Sequence, residues 1–158
     1  MAEYKRESIA ETIDDFISQF NAAEEMGKEF MYQVLLDLAG KVEELPEDKR
    51  TEENRVYGCQ SVVYIDSRAE KGRIFFQGDA DSQIAKGQLY ILLKTLNGRK
   101  AAEVLGDSKE HIERFKNETN VISSLTPTRA NAFGSMYQHM LQQTAEKCKD
   151  APQSLRNI

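Results

Sequence analysis

Apolar side chains along the first third of the chain recur at helical spacing. Ile9, Ile13, Phe16, Ile17 and Phe20 share one face of a helix over about residues 8–20, and Ser8 followed by Glu11 has capping-box spacing at its start. Phe30, Met31, Val34, Leu35, Leu38 and Val42 form a second stripe. It stops near Leu45-Pro46, because the residue before a proline is pushed away from the helical region. The polar run "PEDKRTEENR" reads as a loop.

The period then changes from helical to alternating. "SVVYID" and "GRIFFQ" are β-branched and aromatic, with turn residues in "SRAEKG" between them, which predicts a hairpin of residues 61–67 with 73–77. Two strands alone are marginal in water, so a third is expected, and "NRVY" is its obvious supplier. From Asp81 to Leu96 the pattern is helical again and apolar on more than one side: Ala85, Leu89, Leu92, Leu93 and Leu96, broadened by Ile84 and Ile91. That predicts a central buried helix, with Gly98 as its C-cap. Short helices follow over 101–105 and 109–117. Thr126-Pro127 has the pattern of an N-cap with proline in the first helical position, opening a last helix to about Lys147 whose stripe is Phe133, Met136, Tyr137, Met140 and Leu141. The order α-α-β-β-β-α-α-α-α gives an α+β class, a small antiparallel sheet of about three strands with helices packed on it. Residues 1–148 read as one domain and 149–158 as a disordered tail.

Length and charge narrow the function. The chain has 158 residues, enough for a single core, and a formal net charge of -5. An acidic chain without a basic stripe argues against nucleic acid, whose binding depends on neutralising phosphates. The longest wholly apolar run, "LYILL", is far short of a membrane span, and "MAEYKRESIAE" lacks the apolar stretch of a secretory signal. Two cysteines, Cys59 and Cys148, form no disulfide framework, so a reducing cytosol with free thiols is the economical expectation.

Cys59 stands in "Y-G-C-Q-S" between two strand candidates, where Gly58 lets the backbone bend. A lone cysteine is often a small buried hydrophobe, yet glycine, glutamine and serine build a turn better than a core. The local sequence leaves structural and reactive roles equally open. Other thiol chemistries lack their partners. There is no C-x-x-C dithiol, and Cys59, Cys148, His111 and His139 show no zinc spacing. His111 and His139 fall on helical stretches as surface residues rather than as the base of a nucleophilic pair, and one such chain cannot hold an iron–sulfur cluster alone. A thiol that attacks, accepts a group and hands it on is what remains.

At these residues the sequence resembles the SufE family of sulfur-acceptor proteins. "N-R-V-Y-G-C-Q-S-V-V-Y" resembles the family's cysteine signature. "Q-G-D-A-D-S-Q-I-A-K-G", Gln77 to Gly87, resembles its entry to the central helix, and "L-T-P-T-R-A-N", Leu125 to Asn131, the stretch before its last helix. The likeness runs in order from about Phe16 to Gln143. Tyr64 stands where the family often has tryptophan, the second helix is slightly longer, the tail is extended, and Cys148 lies outside every motif.

The resemblance implies a fold like that of IscU-type scaffolds. It also implies a role: taking persulfide sulfur on Cys59 from a SufS-like or CsdA-like cysteine desulfurase, stimulating that enzyme, and passing the sulfur to a scaffold such as a SufBCD-type complex. The desulfurase carries pyridoxal phosphate, and this chain is expected to bind no cofactor or metal of its own. Arg129 would favour the Cys59 thiolate, and Asp81 with Arg129 would hold the cysteine loop at rest, against the plainer reading of Asp79 and Asp81 as helix caps. Gly58 would let the loop move outward, while Gln60 and Ser61 would satisfy turn groups or meet the partner. Asn54 would begin the strand through a side-chain turn. Alternatives are an acceptor feeding tRNA thiolation, as for a CsdE-like protein, a docking-only activator, and a thiol peroxidase with Cys148 as resolving thiol.

Overall fold

The computed structural model describes residues 6–148. The elements are α1 (Ile9–Met26), α2 (Lys28–Ala39), β1 (Val63–Glu70), β2 (Arg73–Ala80), α3 (Gln83–Leu96), β3 (Arg99–Lys100), α4 (Ser108–Glu118) and α5 (Pro127–Lys147). The fold is α+β, with one antiparallel sheet in the order β1-β2-β3. The expected tail, 149–158, lies outside the described residues.

The capping box at Ser8 forms in both directions: the Glu11 amide donates to Ser8 Oγ at 3.0 Å and the Ser8 amide to Glu11 Oε1 at 3.2 Å. α1 runs on to Met26, well past its last apolar stripe position at Phe20, because residues 21–25 tolerate a helix without marking it. Its Phe16 and Phe20 meet Phe115 of α4 edge-on, at 6.5 and 5.7 Å between centroids, and Phe115 lies 5.8 Å from Phe133 of α5. This aromatic cluster joins three helices behind the sheet. α3 packs on β2 and α5 on β1, while α2 covers α3. The α2–α3 contact is close: a Cβ at Gly87 would stand 2.4 Å from the Leu35 carbonyl oxygen. The inward face of the sheet is Val63, Ile65, Ile74, Phe76 and Ala80, all buried. On its other face guanidinium groups cover aromatic rings: Arg68 lies 4.4 Å above Phe75, and Arg50 and Arg55 lie 6.0 and 5.8 Å from Tyr64.

Two strand expectations are corrected. The hairpin is longer than residues 61–67 with 73–77: Val63 pairs with Ala80 and Glu70 with Arg73. Only Lys71 and Gly72 form the turn, with φ of 53° and 78°. The polar residues Arg68 and Glu70, which look like loop, are the solvent face of β1. The third strand is Arg99–Lys100, on the far edge of β2, rather than "NRVY". Two paired residues leave no periodic signal, and what fixes them is the Gly98 amide donating to the Ile74 carbonyl at 2.8 Å as α3 ends. "NRVY" contributes one isolated bridge, Arg55 with Tyr64, because the chain turns at residues 51–54 before it and leaves the edge after Val56. The short helix expected over 101–105 is a π-helical stretch, Glu103–Asp107, that runs into α4. No helix among the described residues is long and apolar enough to cross a membrane.

Asp79 ties the loop before the sheet to the sheet itself. Its carboxylate accepts from Arg50 Nη2 at 2.8 Å, from the Ala80 amide at 2.8 Å and from the Leu45 amide at 3.5 Å, with Lys86 Nζ at 3.6 Å. Burial alone would raise its pKa, but the Arg50 hydrogen bond, the two amides and Lys86 together hold it below the ordinary carboxylate value. Because the folded pKa is depressed, this contribution is full above the unfolded value of about 3.9 and is lost as pH falls through the folded pKa. Asp79→Asn should therefore cost about 2 kcal/mol at neutral pH. Urea midpoints of both chains should draw together as pH is lowered below about 4; a constant gap would mean that the charge is not the source.

Candidate functional site

The cysteine loop is a tip held at both ends. On one side the chain returns against β1: the Ile65 amide donates to the Asn54 carbonyl at 2.8 Å and the Val56 amide to the Val63 carbonyl at 2.9 Å. Asn54 is buried, and its side-chain amide donates to the Lys49 carbonyl at 2.8 Å and to Asp66 Oδ1 at 3.1 Å. Gln143 of α5 donates to Asn54 Oδ1 at 3.4 Å and to the Ile65 carbonyl at 2.7 Å. Asn54 is thus a buried cross-link rather than the local side-chain turn expected.

The other end is fixed by the residues before α3. The Val62 amide donates to Asp81 Oδ1 at 2.9 Å, the Asp81 amide returns to the Val62 carbonyl at 3.1 Å, and the Ser61 and Ser82 hydroxyls lie 2.7 Å apart. Ser82 caps α3 by accepting from the Ala85 amide, so the expected capping role of Asp79 and Asp81 belongs to their neighbour. Between the anchors, Gln60 Oε1 accepts from the Thr128 hydroxyl of α5 at 3.3 Å. Gly58 has φ of +90°, and a Cβ there would stand 2.5 Å from Ser135 Oγ, so the loop presses on α5 where no side chain fits.

Cys59 is half-buried against the core, its Sγ 4.0 Å from the Ala132 carbonyl oxygen. Burial pushes its pKa up; the Arg55 guanidinium pulls the other way but does not cancel the burial. At rest the group is therefore a protonated thiol at neutral pH. Arg129, expected beside it, is exposed at the start of α5 and makes no hydrogen bond or ion pair among the described residues. The cation whose field reaches Cys59 is Arg55, four residues before it and not singled out in the sequence reading. Cys148 is buried at the end of α5. The histidines are not surface residues as expected: His111 is half-buried and accepts from Arg114, and His139 is half-buried, with burial holding its pKa below the ordinary value.

Beside the tip lies an open cleft of about 940 Å³ between residues 55–58, α4 and α5. Arg55, Tyr57 and Gly58 form one wall, and Lys109, Lys116 and His139 stand among the residues of the other. Tyr57, 64% exposed, marks its rim.

Residues 14–144 match the SufE family model, described as an Fe-S metabolism associated domain. The chain is 37% identical over 109 residues to an uncharacterised SufE-like protein of Synechocystis, an alignment spanning 69% of this chain and 66% of that protein. It is 25% identical to the sulfur acceptor protein CsdE of Escherichia coli, over 73% of this chain and 77% of that one. A solution structure of a hypothetical protein from Thermus thermophilus shares the fold, with a TM-score of 0.65 at 20% identity, over 87% of this chain and 96% of that chain.

Iodoacetamide should label one thiol of the native chain, Cys59, more slowly at pH 7 than an unstructured cysteine peptide, and Cys148 only in denaturant. Two fast labels in native buffer would contradict the burial of Cys148. Gly58→Ala forces a Cβ onto a left-handed backbone against Ser135 and should lower stability by about 1–2 kcal/mol in urea unfolding.

Proposed function

The chain belongs to the SufE family, and from that membership we propose that it is a sulfur acceptor whose working group is Cys59. The observation that carries this reading is the contrast between the two thiols: Cys59 stands at a loop tip beside an open cleft, and Cys148 is sealed in the core. The donor is a cysteine desulfurase of the SufS or CsdA kind, which holds sulfur from free cysteine as a persulfide. The Cys59 thiolate attacks the outer sulfur of that persulfide. One sulfur–sulfur bond forms to Cys59, the bond to the partner's cysteine breaks, and that cysteine leaves as a thiolate. A bond is exchanged rather than made, so no oxidant is needed.

The geometry supports a loop that opens for this step. Sγ faces the Ala132 carbonyl and is half-buried, so in-line attack requires the tip to turn outward. Gly58, without a side chain and with φ of +90°, is the residue that can absorb the change. Asp81 keeps the base of the loop closed through Val62, while Gln60 and Ser61, tied to Thr128 and Ser82, hold the tip at rest. Exposed Arg129, which follows the Thr128 that ties Gln60, is assigned to the surface of this chain that meets the partner. Docking thereby stimulates the desulfurase by removing its persulfide sulfur, and the loaded chain delivers to a scaffold of the SufBCD kind in a reducing cytoplasm. An acceptor serving tRNA thiolation uses the same chemistry with a different recipient.

The test is an intact-mass spectrum after incubation with a SufS-type desulfurase, pyridoxal phosphate and cysteine, without reductant. Wild type should gain one sulfur and Cys59→Ser none, with stimulation lost in the variant. Stimulation that survives in Cys59→Ser would replace this reading with a docking-only activator. A gain that survives there would move the acceptor to Cys148.

A further inference from the structure

Among the described residues Arg55 is a half-buried cation without a counter-ion. Its guanidinium lies 5.7 Å from the Tyr57 ring centroid and 5.8 Å from that of Tyr64. Nε is buried with no hydrogen-bond partner. Ion pairs elsewhere satisfy Arg50, through Asp79, and Arg114, through Asp14, but no carboxylate of the described residues lies within pairing distance of Arg55. The charged and titratable groups sharing its cleft do not supply one. From α4 come Lys109, Lys116 and Glu113, and Glu113 is engaged by Lys116 at 3.5 Å; from α5 come His139, kept neutral by burial, and Tyr137, a phenol held protonated by burial and paired with Ser108 at 2.6 Å. On the β1 side the neighbours are Tyr64 and, beyond it, the Arg50 guanidinium. A guanidinium drawn partly out of water between two rings costs free energy that an anion placed beside it would offset.

The loop provides one group that becomes an anion in the course of the work. A persulfide is a stronger acid than the thiol from which it forms, so loaded Cys59 carries a negative charge at neutral pH. Resting the inference on the acceptor reading above, we propose that Arg55 is the positioning residue of the loaded state: its unpaired guanidinium is the counter-ion that holds the Cys59 persulfide anion at the loop tip. The backbone of Arg55 is bridged to Tyr64 at the fixed base of the loop, so the charge stays in place while the tip moves. Of the two rings beside it, that of Tyr64 belongs to β1 and stays with the base of the loop. Loading itself remains the exchange of one sulfur–sulfur bond, with Arg55 neither gaining nor losing a proton.

The experiment compares full-length wild type, Arg55→Lys and Arg55→Gln, with urea midpoints taken as a check of folding. Should the Gln variant not fold, Arg55→Met, which keeps an apolar stem against the rings, replaces it. One arm needs no sulfur transfer: iodoacetamide labelling of Cys59 followed against pH. The Gln variant should label along a curve displaced to higher pH and several-fold more slowly at neutral pH, because the cation that favours the thiolate is gone. The Lys variant should stay close to wild type. In the second arm each chain is loaded with sulfur and challenged with a small thiol, and the loaded fraction is followed by mass. The Gln variant should lose its sulfur several-fold faster, with Lys again restoring retention. Unchanged labelling and retention in the Gln variant would overturn the proposal, as would equal losses in Lys and Gln, which would make Arg55 a matter of shape. If wild type never loads, the acceptor reading and this inference fall together; if it loads and only the labelling and retention curves fail to move, Arg55 alone falls.

Discussion

Where the thiol stands is decided by the hydrogen bonds that close its loop. Val56 pairs with Val63 on one side, and the Asp81 carboxylate and amide grip Val62 on the other. With both ends held, the tip between them has few places to go. These grips depend in turn on one short stretch, Asp79 to Ser82. Asp79 fastens the preceding loop through Arg50, Asp81 fastens the cysteine loop, and Ser82 both caps α3 and meets Ser61. Strand end, loop base and helix start are therefore one structural unit, and a change in any of them reaches the cysteine loop through a short chain of hydrogen bonds.

Much of this fold was legible because burial imposes a period. The stripes of α3 and α5 predict helices that form where expected, α1 begins where expected and overruns its stripe, and the Ser8–Glu11 box and the proline of Thr126-Pro127 mark the starts of two of them. The third strand was not legible, for a reason of scale. A strand of two residues has no alternation to read, and Arg99–Lys100 exist as a strand only because α3 ends beside Ile74. "NRVY" has the composition of a strand but is interrupted by tertiary demands, the buried Asn54 at one end and the loop at the other.

The site was legible to a lesser degree. Cys59 in a turn could be read from its glycine and polar flanks, since those residues place a thiol at an edge. The company it keeps could not. Asp81 is next to Val62 only after β1 and β2 pair in register, and Gln143 reaches Asn54 only once α5 lies on β1. Arg55 was in plain view, close before the cysteine, yet nothing in its neighbours says that two tyrosine rings would lie near it or that no carboxylate of the described residues would pair with it. Absence of a partner is a property of the folded chain, and no local pattern encodes it.

The balance of forces on Cys59 bears on how an acceptor avoids wasteful chemistry. Thiolates are the species that oxidise and exchange, so a permanently ionised loop cysteine would be spent on the solution around it. Here burial disfavours the charge and Arg55 only partly restores it. The two effects differ in how they answer to motion. Burial acts through everything packed against the tip and is relieved when the tip turns out. The Arg55 charge is anchored at the base of the loop and falls off only with distance. Under the loop opening proposed above, the larger opposing effect is removed first, and ionisation rises when a partner is present to use it. Under the proposed function, the same asymmetry suits the return journey: a tip that closes as a persulfide brings a charge back toward a cation that no carboxylate of the described residues has paired, whereas an unloaded tip closes as a neutral thiol.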